Sequence, residues 1–363
     1  MKNIKSSRLQ SLIALCLLLP TLLAAEPVKS LNDRAKAKGL YYGAAVDDEL
    51  FKDKKFQKTF NKEVGVLTAA NACHFKNVQP KKGSFSFEEC DQFVNYAASQ
   101  KMLFHGHSLI YHIAEPEWVK SEINLENAEE VLKNHITTVV KRYKGKVYAW
   151  NVVNEAINVP DGNPGGYYNN IWFQKLGSSY IEKAFRAARK ADPNALLVYN
   201  DYWLEADGPV FEEKREAVLS MLKDLKNQGV PVDALGIQAH LWPTASYSTL
   251  NKFLQKVANL NIKIIVSELD VTENGLPSNI TERDKGVAKV YKEFLSVVVK
   301  EPAVLGVTTW GLSDKYTWLT TAPFAQREDG LPVRPLPYDA SMNKKPAWYA
   351  IAEAFDSRKT SKN

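Results

Sequence analysis

Cysteine is scarce in this 363-residue chain, with only Cys16, Cys73 and Cys90. That excludes a disulfide-dense secreted scaffold. Long apolar runs are also missing. The longest, Leu12 to Leu23, is too short for a clear membrane span. No Ser/Gly-rich linker divides the chain, and no internal repeat or low-complexity tract precedes the tail. Extreme charge is absent as well: the formal net charge is +6 and falls to +3 without Lys2, Lys5 and Arg8. Such a balance does not argue for nucleic acid. The chain has 45% apolar and 24% charged residues, enough material for one large core.

The N-terminus reads as a secretory signal. Lys2, Lys5 and Arg8 precede the apolar run, and Ala24-Ala25 supplies small residues for cleavage. We expect a signal over residues 1–25, one catalytic domain over 26–357 and a basic flexible tail over 358–363 carrying Arg358, Lys359 and Lys362. The expected location is secreted or periplasmic, with a retained signal anchor as the alternative. Cys73 and Cys90 could pair in an oxidising compartment or stay as buried thiols. Asn279-Ile-Thr281 is a glycosylation acceptor only in a eukaryotic host.

The interior alternates short β-branched runs with longer amphipathic ones. Strands are predicted at Tyr41–Ala45, Val64–Asn71, Met102–His107, Val147–Glu155, Leu196–Asp201, Ala234–His240, Ile262–Asp270 and Ala303–Trp310. A helix is predicted over Ala128–Lys144, with Asn127 as N-cap and Gly145 as stop. Others are expected over Tyr180–Lys190 and Leu250–Leu260. Eight strand–helix units predict a single (β/α)8 barrel of α/β class. The open doubly wound sheet is the rival, but it calls for a Gly-rich first turn, and Tyr41 to Asp47 holds one glycine.

In such a barrel, chemistry gathers where the strands end. The predicted strands terminate in Asn71, His107, Asn154-Glu155, Asn200-Asp201, Gln238 and His240, Glu268 and Asp270, and Trp310. Glu155 and Glu268 each close an otherwise apolar run and face each other across the mouth. Two carboxyls across a cleft suit glycosidic hydrolysis: one protonates the leaving oxygen, the other attacks the anomeric carbon or activates water. Asp270, two residues past Glu268, shares its face and can pair with His240. Gln238 can hold the nucleophile or a sugar hydroxyl. Asn154 can donate to the sugar's 2-hydroxyl. Proximity to Glu268 and partial burial would keep Glu155 protonated.

AWNVVNEA (149–156), GIQAHL (236–241), IIVSELD (264–270) and GVTTWG (306–311) carry a resemblance. With HGHSLIYH (105–112), ADP and YNDY (191–202) and KKPAWYAI (344–351), they resemble glycoside hydrolase family 10, the xylanases. The resemblance implies an eight-fold α/β barrel and a retaining double displacement on xylan without cofactor or metal. Glu155 is then the acid/base and Glu268 the nucleophile. His107, Tyr111, Asn154, Tyr202, Gln238, His240, Trp310 and Trp318 would hold sugar, with Asn71 further out. The expected partner is a polysaccharide or oligosaccharide. The chain is expected to act as a monomer, off the membrane once the signal is removed.

Two departures stand against this pattern. Where the family has Glu-Asn-x-x-Lys-Trp, the chain reads Ala70-Asn71-Ala72-Cys73-His74-Phe75, and Tyr111 and Ala114 replace a Trp and a Gln. The resemblance therefore implies an altered site for the second glycone sugar, fitting a decorated xylan or another β-glycan. Elsewhere, His105 and Asn151 stand where the family commonly has Arg and Asp, so a neutral pair is expected in place of a charged one. Two other classes remain as rivals. A metal-dependent hydrolase could use His105, His107 and Cys73-His74, but it needs at least three ligands with outer support. A silent carbohydrate-binding barrel would be expected to lack one of the two glutamates.

Overall fold

Eight strands close on themselves in the computed structural model, which describes residues 29–359. The predicted signal, Cys16 and Lys362 lie outside the described residues. The strands are β1 (Tyr41–Val46), β2 (Val66–Ala69), β3 (Leu103–Gly106), β4 (Ala149–Asn154), β5 (Leu196–Asp201), β6 (Ala234–Ile237), β7 (Lys263–Val271) and β8 (Val304–Thr309). Each pairs in parallel with the next, and β8 returns to β1 through Tyr41 opposite Gly306. This is the single (β/α)8 barrel expected. Strand closure leaves no open edge, and all eight carboxyl ends meet at one face.

The barrel's inner floor is a small apolar layer of Tyr41, Val66, Ala149, Val198, Ala234 and Ile265. A much larger core fills the space between strands and helices. The helices follow their apolar spacing. Ala128–Arg142 buries Leu132, Ile136, Val139 and Val140, while Ser179–Ala191 and Leu250–Ala258 occupy the other two segments predicted as helices. Among the described residues, no helix is long and apolar enough to cross a membrane.

Several boundaries differ from expectation for local reasons. The strand expected to run to Asn71 stops at Ala69, so Asn71 sits in an exposed loop and donates to Asp47 Oδ2 at 2.8 Å. The strand expected to reach His240 breaks after Ile237, because Ala239 adopts a left-handed φ of 63° and gives its N–H to the buried Glu205 carboxylate at 2.7 Å. His240 and Leu241 then pair instead with Asp270 and Val271 on β7. Asn127 makes no side-chain cap; its Oδ1 accepts from the Asn124 N–H in the preceding turn. Arg358 is not part of a free tail: its guanidinium donates to the carbonyls of Val299, Glu301, Pro302 and Val304. Asn279 is an N-cap, accepting the Glu282 N–H at the start of the helix Ile280–Val298.

Cys73 and Cys90 are joined as a disulfide, which resolves the alternatives left by the sequence. The bridge ties the loop after β2 to the helix Glu88–Ser99.

Candidate active site

The strand ends enclose one cleft of about 880 Å³. Its walls include Glu155, Glu268 and every residue singled out for sugar contact: Asn71, His107, Tyr111, Asn154, Tyr202, Gln238, His240, Trp310 and Trp318. His105, Asn151 and Asp270 stand behind this wall, all buried.

Glu155 follows β4 directly. Its backbone is left-handed, with φ of 56°, and its N–H donates to the Asn200 carbonyl at 2.9 Å. A non-glycine residue in this region carries strain of order 1–3 kcal/mol, held by its surroundings. The turn directs into the cleft a carboxyl that a continued strand, alternating faces after the inward Asn154, would send toward the helix layer. Gln238 Nε2 donates to Glu155 Oε1 at 2.8 Å, and Asn154 Nδ2 donates to the same oxygen at 3.1 Å. Gln238 thus holds Glu155, not the nucleophile candidate foreseen for it.

Burial raises the Glu155 pKa to about 7. The Gln238 bond works against the shift, the Asp201 and Glu268 charges add to it, and the Tyr111 hydroxyl opposes it. Asp201 therefore contributes before Glu268, the neighbour first suspected.

Glu268 is held from two sides. Asn200 Nδ2 donates to Glu268 Oε1 at 2.7 Å, and His240 Nε2 lies 3.4 Å from Oε2. His240 Nδ1 lies 2.8 Å from Asp270 Oδ1, and Trp318 Nε1 donates to Asp270 Oδ2 at 2.7 Å. Burial alone would favour a neutral imidazole, but Asp270 and then Glu268 outweigh it and raise the His240 pKa well above its usual value. The nucleophile candidate is thus flanked by a cation and an amide donor.

Asn200 links the two carboxyls and escaped the sequence reading of roles. Its Nδ2 also donates to Asn154 Oδ1 at 2.7 Å, and its Oδ1 accepts from Ser267 at 2.6 Å. Gly236 makes room for it: a Cβ there would stand 2.1 Å from Asn200 Oδ1. A second missed element lies under Tyr202. Lys214 Nζ is 2.7 Å from Asp201 Oδ1 and 3.3 Å from the centre of the Tyr202 ring. Tyr199 donates to Asp201 Oδ2 and accepts the Ala156 N–H at 3.2 Å. This chain of contacts fixes the backbone beside Glu155 to a buried ion pair.

The His105–Asn151 pair is in contact. His105 Nε2 and Asn151 Oδ1 are 2.8 Å apart, and Asn151 Nδ2 is 2.8 Å from His107 Nδ1. Burial lowers the pKa of His105 to about 4 and takes His107 well below its usual value, so the trio is neutral. The amide oxygen facing His105 places its proton on Nε2. The amide nitrogen makes His107 Nδ1 an acceptor and leaves its Nε2–H free. Among the described residues, no group of three or more His, Cys, Asp and Glu side chains is placed to hold a metal ion.

The sequence profile described as "Glycosyl hydrolase family 10" matches residues 30–354. An endo-1,4-beta-xylanase B from Thermotoga neapolitana is 32% identical over 308 residues, 84% of this chain and 84% of that protein. A beta-1,4-xylanase from Dictyoglomus thermophilum is 35% identical over 310 residues, 82% and 84% of the two chains. The crystal structure of native xylanase 10B from Thermotoga maritima superposes with a TM-score of 0.82 at 32% identity, covering 90% of this chain and 98% of that one.

Proposed function

We propose, from the premise that this chain belongs to glycosyl hydrolase family 10, that it hydrolyses β-1,4-xylosidic bonds by a two-glutamate double displacement with retention. Glu155 is the acid/base and Glu268 the nucleophile. The observation that carries this reading is the contrast between the two carboxyls in one cleft. Glu155 is half-buried, and its desolvation raises its pKa to about 7, so it holds a proton to give to the leaving oxygen. Glu268 receives only donors, from Asn200 and His240, as suits an attacking carboxylate.

The first step forms a bond from Glu268 to the anomeric carbon while Glu155 gives its proton to the departing oxygen. Glu155, now ionised, then takes a proton from water, and that water's oxygen displaces Glu268. Asn154 keeps one amide hydrogen for the sugar's 2-hydroxyl, where the contact strengthens as positive charge develops. His107, through its Nε2–H, and the faces of Trp310, Trp318 and Tyr202 position the ring. The names of the relatives support xylan as the polymer.

The distal end is altered, and we place the preference with a substituted xylan or a related β-glycan because Ala70, His74, Tyr111 and Ala114 all depart from the pattern. The chain acts as a secreted or periplasmic monomer, its export resting on the 1–25 segment. Product analysis on xylan, substituted xylans and other β-glycans tests this, with Glu155→Ala and Glu268→Ala beside the parent. Xylo-oligosaccharide release by the parent, lost in both variants, is expected. Equal turnover by either variant, or no release from any xylan, would overturn it.

A further inference from the structure

Lys214 is a buried cation to which the reaction described above gives no part. It lies in the second turn of the helix Pro209–Asn227, is 3% exposed, and packs back over the end of β5. Its Nζ approaches Asp201 Oδ1 at 2.7 Å without the alignment of a hydrogen bond, and stands 3.3 Å from the centre of the Tyr202 ring. Both contacts are therefore mainly ones of charge: a cation held between a carboxylate and the face of an aromatic ring. Among the described residues, Asp201 is the one carboxylate within ion-pair distance of Lys214. Nearby Glu205 is turned to the Ala239 N–H, and burial keeps His112, the other titratable neighbour, neutral with a pKa of about 4.

Both partners of Lys214 reach Glu155. Tyr202 shares the cleft wall with it. Asp201 follows Asn200, whose carbonyl accepts the Glu155 N–H at 2.9 Å. Asp201 Oδ1 accepts the Tyr202 N–H at 2.9 Å, and its Oδ2 accepts from Tyr199, whose hydroxyl accepts the Ala156 N–H at 3.2 Å. The backbone on either side of the Glu155 side chain is thus tied to the strand end that Lys214 covers.

The charge on Asp201 depends on this cation. Burial pushes the Asp201 pKa up, and Lys214 is the largest influence opposing it. Without Lys214 the buried carboxyl would take up a proton. With it, a negative charge stands near Glu155 and raises that pKa more than Glu268 does. The remaining groups facing Glu155, which are Gln238, Asn154 and the Tyr111 hydroxyl, donate to it and act in the opposite sense. Asp201 also differs from Glu268 in kind. Glu268 loses its charge when it bonds to the sugar, whereas Asp201 keeps its charge through both steps.

We propose that Lys214 is a positioning residue for the acid/base: from beneath the cleft wall it keeps Asp201 charged near Glu155 and seats the Tyr202 ring. This rests on the glycosidase reading above. It adds the group that readies Glu155 to give a proton in the first step and to take one in the second.

The test follows kcat/KM against pH in the full chain on xylotetraose and on dinitrophenyl β-xylobioside, whose departing phenolate needs no proton. In Lys214→Met the alkaline limb on xylotetraose falls by about one unit, the effect of one nearby charge. At pH 8 that is a loss of about tenfold, against less than about twofold on the dinitrophenyl substrate. Lys214→Arg keeps Asp201 charged and retains the parent's limb. Lys214→Met combined with Asp201→Asn leaves no lone buried charge, so it folds even where the single variant does not. Its limb lies where that of Asp201→Asn lies, with no further fall. Carbon-13 NMR of the Glu155 carboxyl, assigned by its loss in Glu155→Gln, shows the same downward shift without any substrate. A limb and a carboxyl midpoint that stay in place or rise in folded Lys214→Met, or equal losses on both substrates, would overturn the assignment. A parent that leaves xylotetraose intact, with the Glu155 midpoint still falling in Lys214→Met, would instead sink the xylosidic reading and support the coupling of Lys214 to Glu155.

Discussion

Replacing Gln238 with methionine removes the one amide that reaches Glu155 from β6's side of the cleft while keeping side-chain length. The free enzyme's alkaline limb reports the Glu155 carboxyl, because the acid must hold its proton for the first step. Its pKa is raised from 4.5 to about 7, an advantage of about 3 kcal/mol for the neutral form. Burial drives that shift, and the 2.8 Å Gln238 bond restrains it by stabilising the carboxylate. A hydrogen bond to a charged group contributes about 1.5 kcal/mol, or about one pH unit. Gln238→Met therefore moves the alkaline limb of kcat/KM upward by about one unit, to about 8. The sign is fixed: losing a donor to the ionised form raises the pKa. Asp201→Asn has the opposite sign, since it removes a charge that disfavours ionisation of Glu155, and its limb moves down. The assay is kcat/KM against pH from 5 to 10 on a soluble xylo-oligosaccharide, with circular dichroism confirming folded protein at each pH. A limb that stays in place or falls in Gln238→Met would refute the assignment of that limb to Glu155.

Two further outcomes concern the frame around the site. Asn151→Leu strands the His105 Nε2–H and the His107 Nδ1 acceptor in a buried wall, so it costs about 2–4 kcal/mol in urea unfolding; a cost under about 0.5 kcal/mol would contradict the neutral trio. Cys73→Ala with Cys90→Ala opens a loop of sequence separation 17 and lowers stability by about 3 kcal/mol in the chain-entropy account. The parent treated with reductant should approach the double variant's unfolding midpoint, and a parent indifferent to reductant would contradict the bridge.

Sequence reading reached the carboxyls because each terminates an apolar run, a pattern that burial in a parallel barrel enforces. Glu155, Glu268, Asn154, Gln238 and His240 could be seen one strand at a time. Asn200 was visible as a strand end, but its role depends on three neighbouring strands at once and on the missing side chain of Gly236. Lys214 reads as an ordinary surface lysine on a charged helix. Only its burial against Asp201 and Tyr202 reveals otherwise. The overlong strands ending in Asn71 and His240 failed for a related reason. Apolar residues continue past both strand ends, to Ala70 and Ala239, while the chain turns to satisfy contacts made at a distance: Asn71 to Asp47, and the Ala239 N–H to Glu205.

The most direct test of the two-glutamate account is the anomeric form of the first product. Proton NMR during cleavage of xylohexaose should show the β-anomer appearing first, followed by slow mutarotation, because Glu268 and then water each invert the same carbon. Early accumulation of the α-anomer would mean a single displacement by water and would contradict the role given to Glu268.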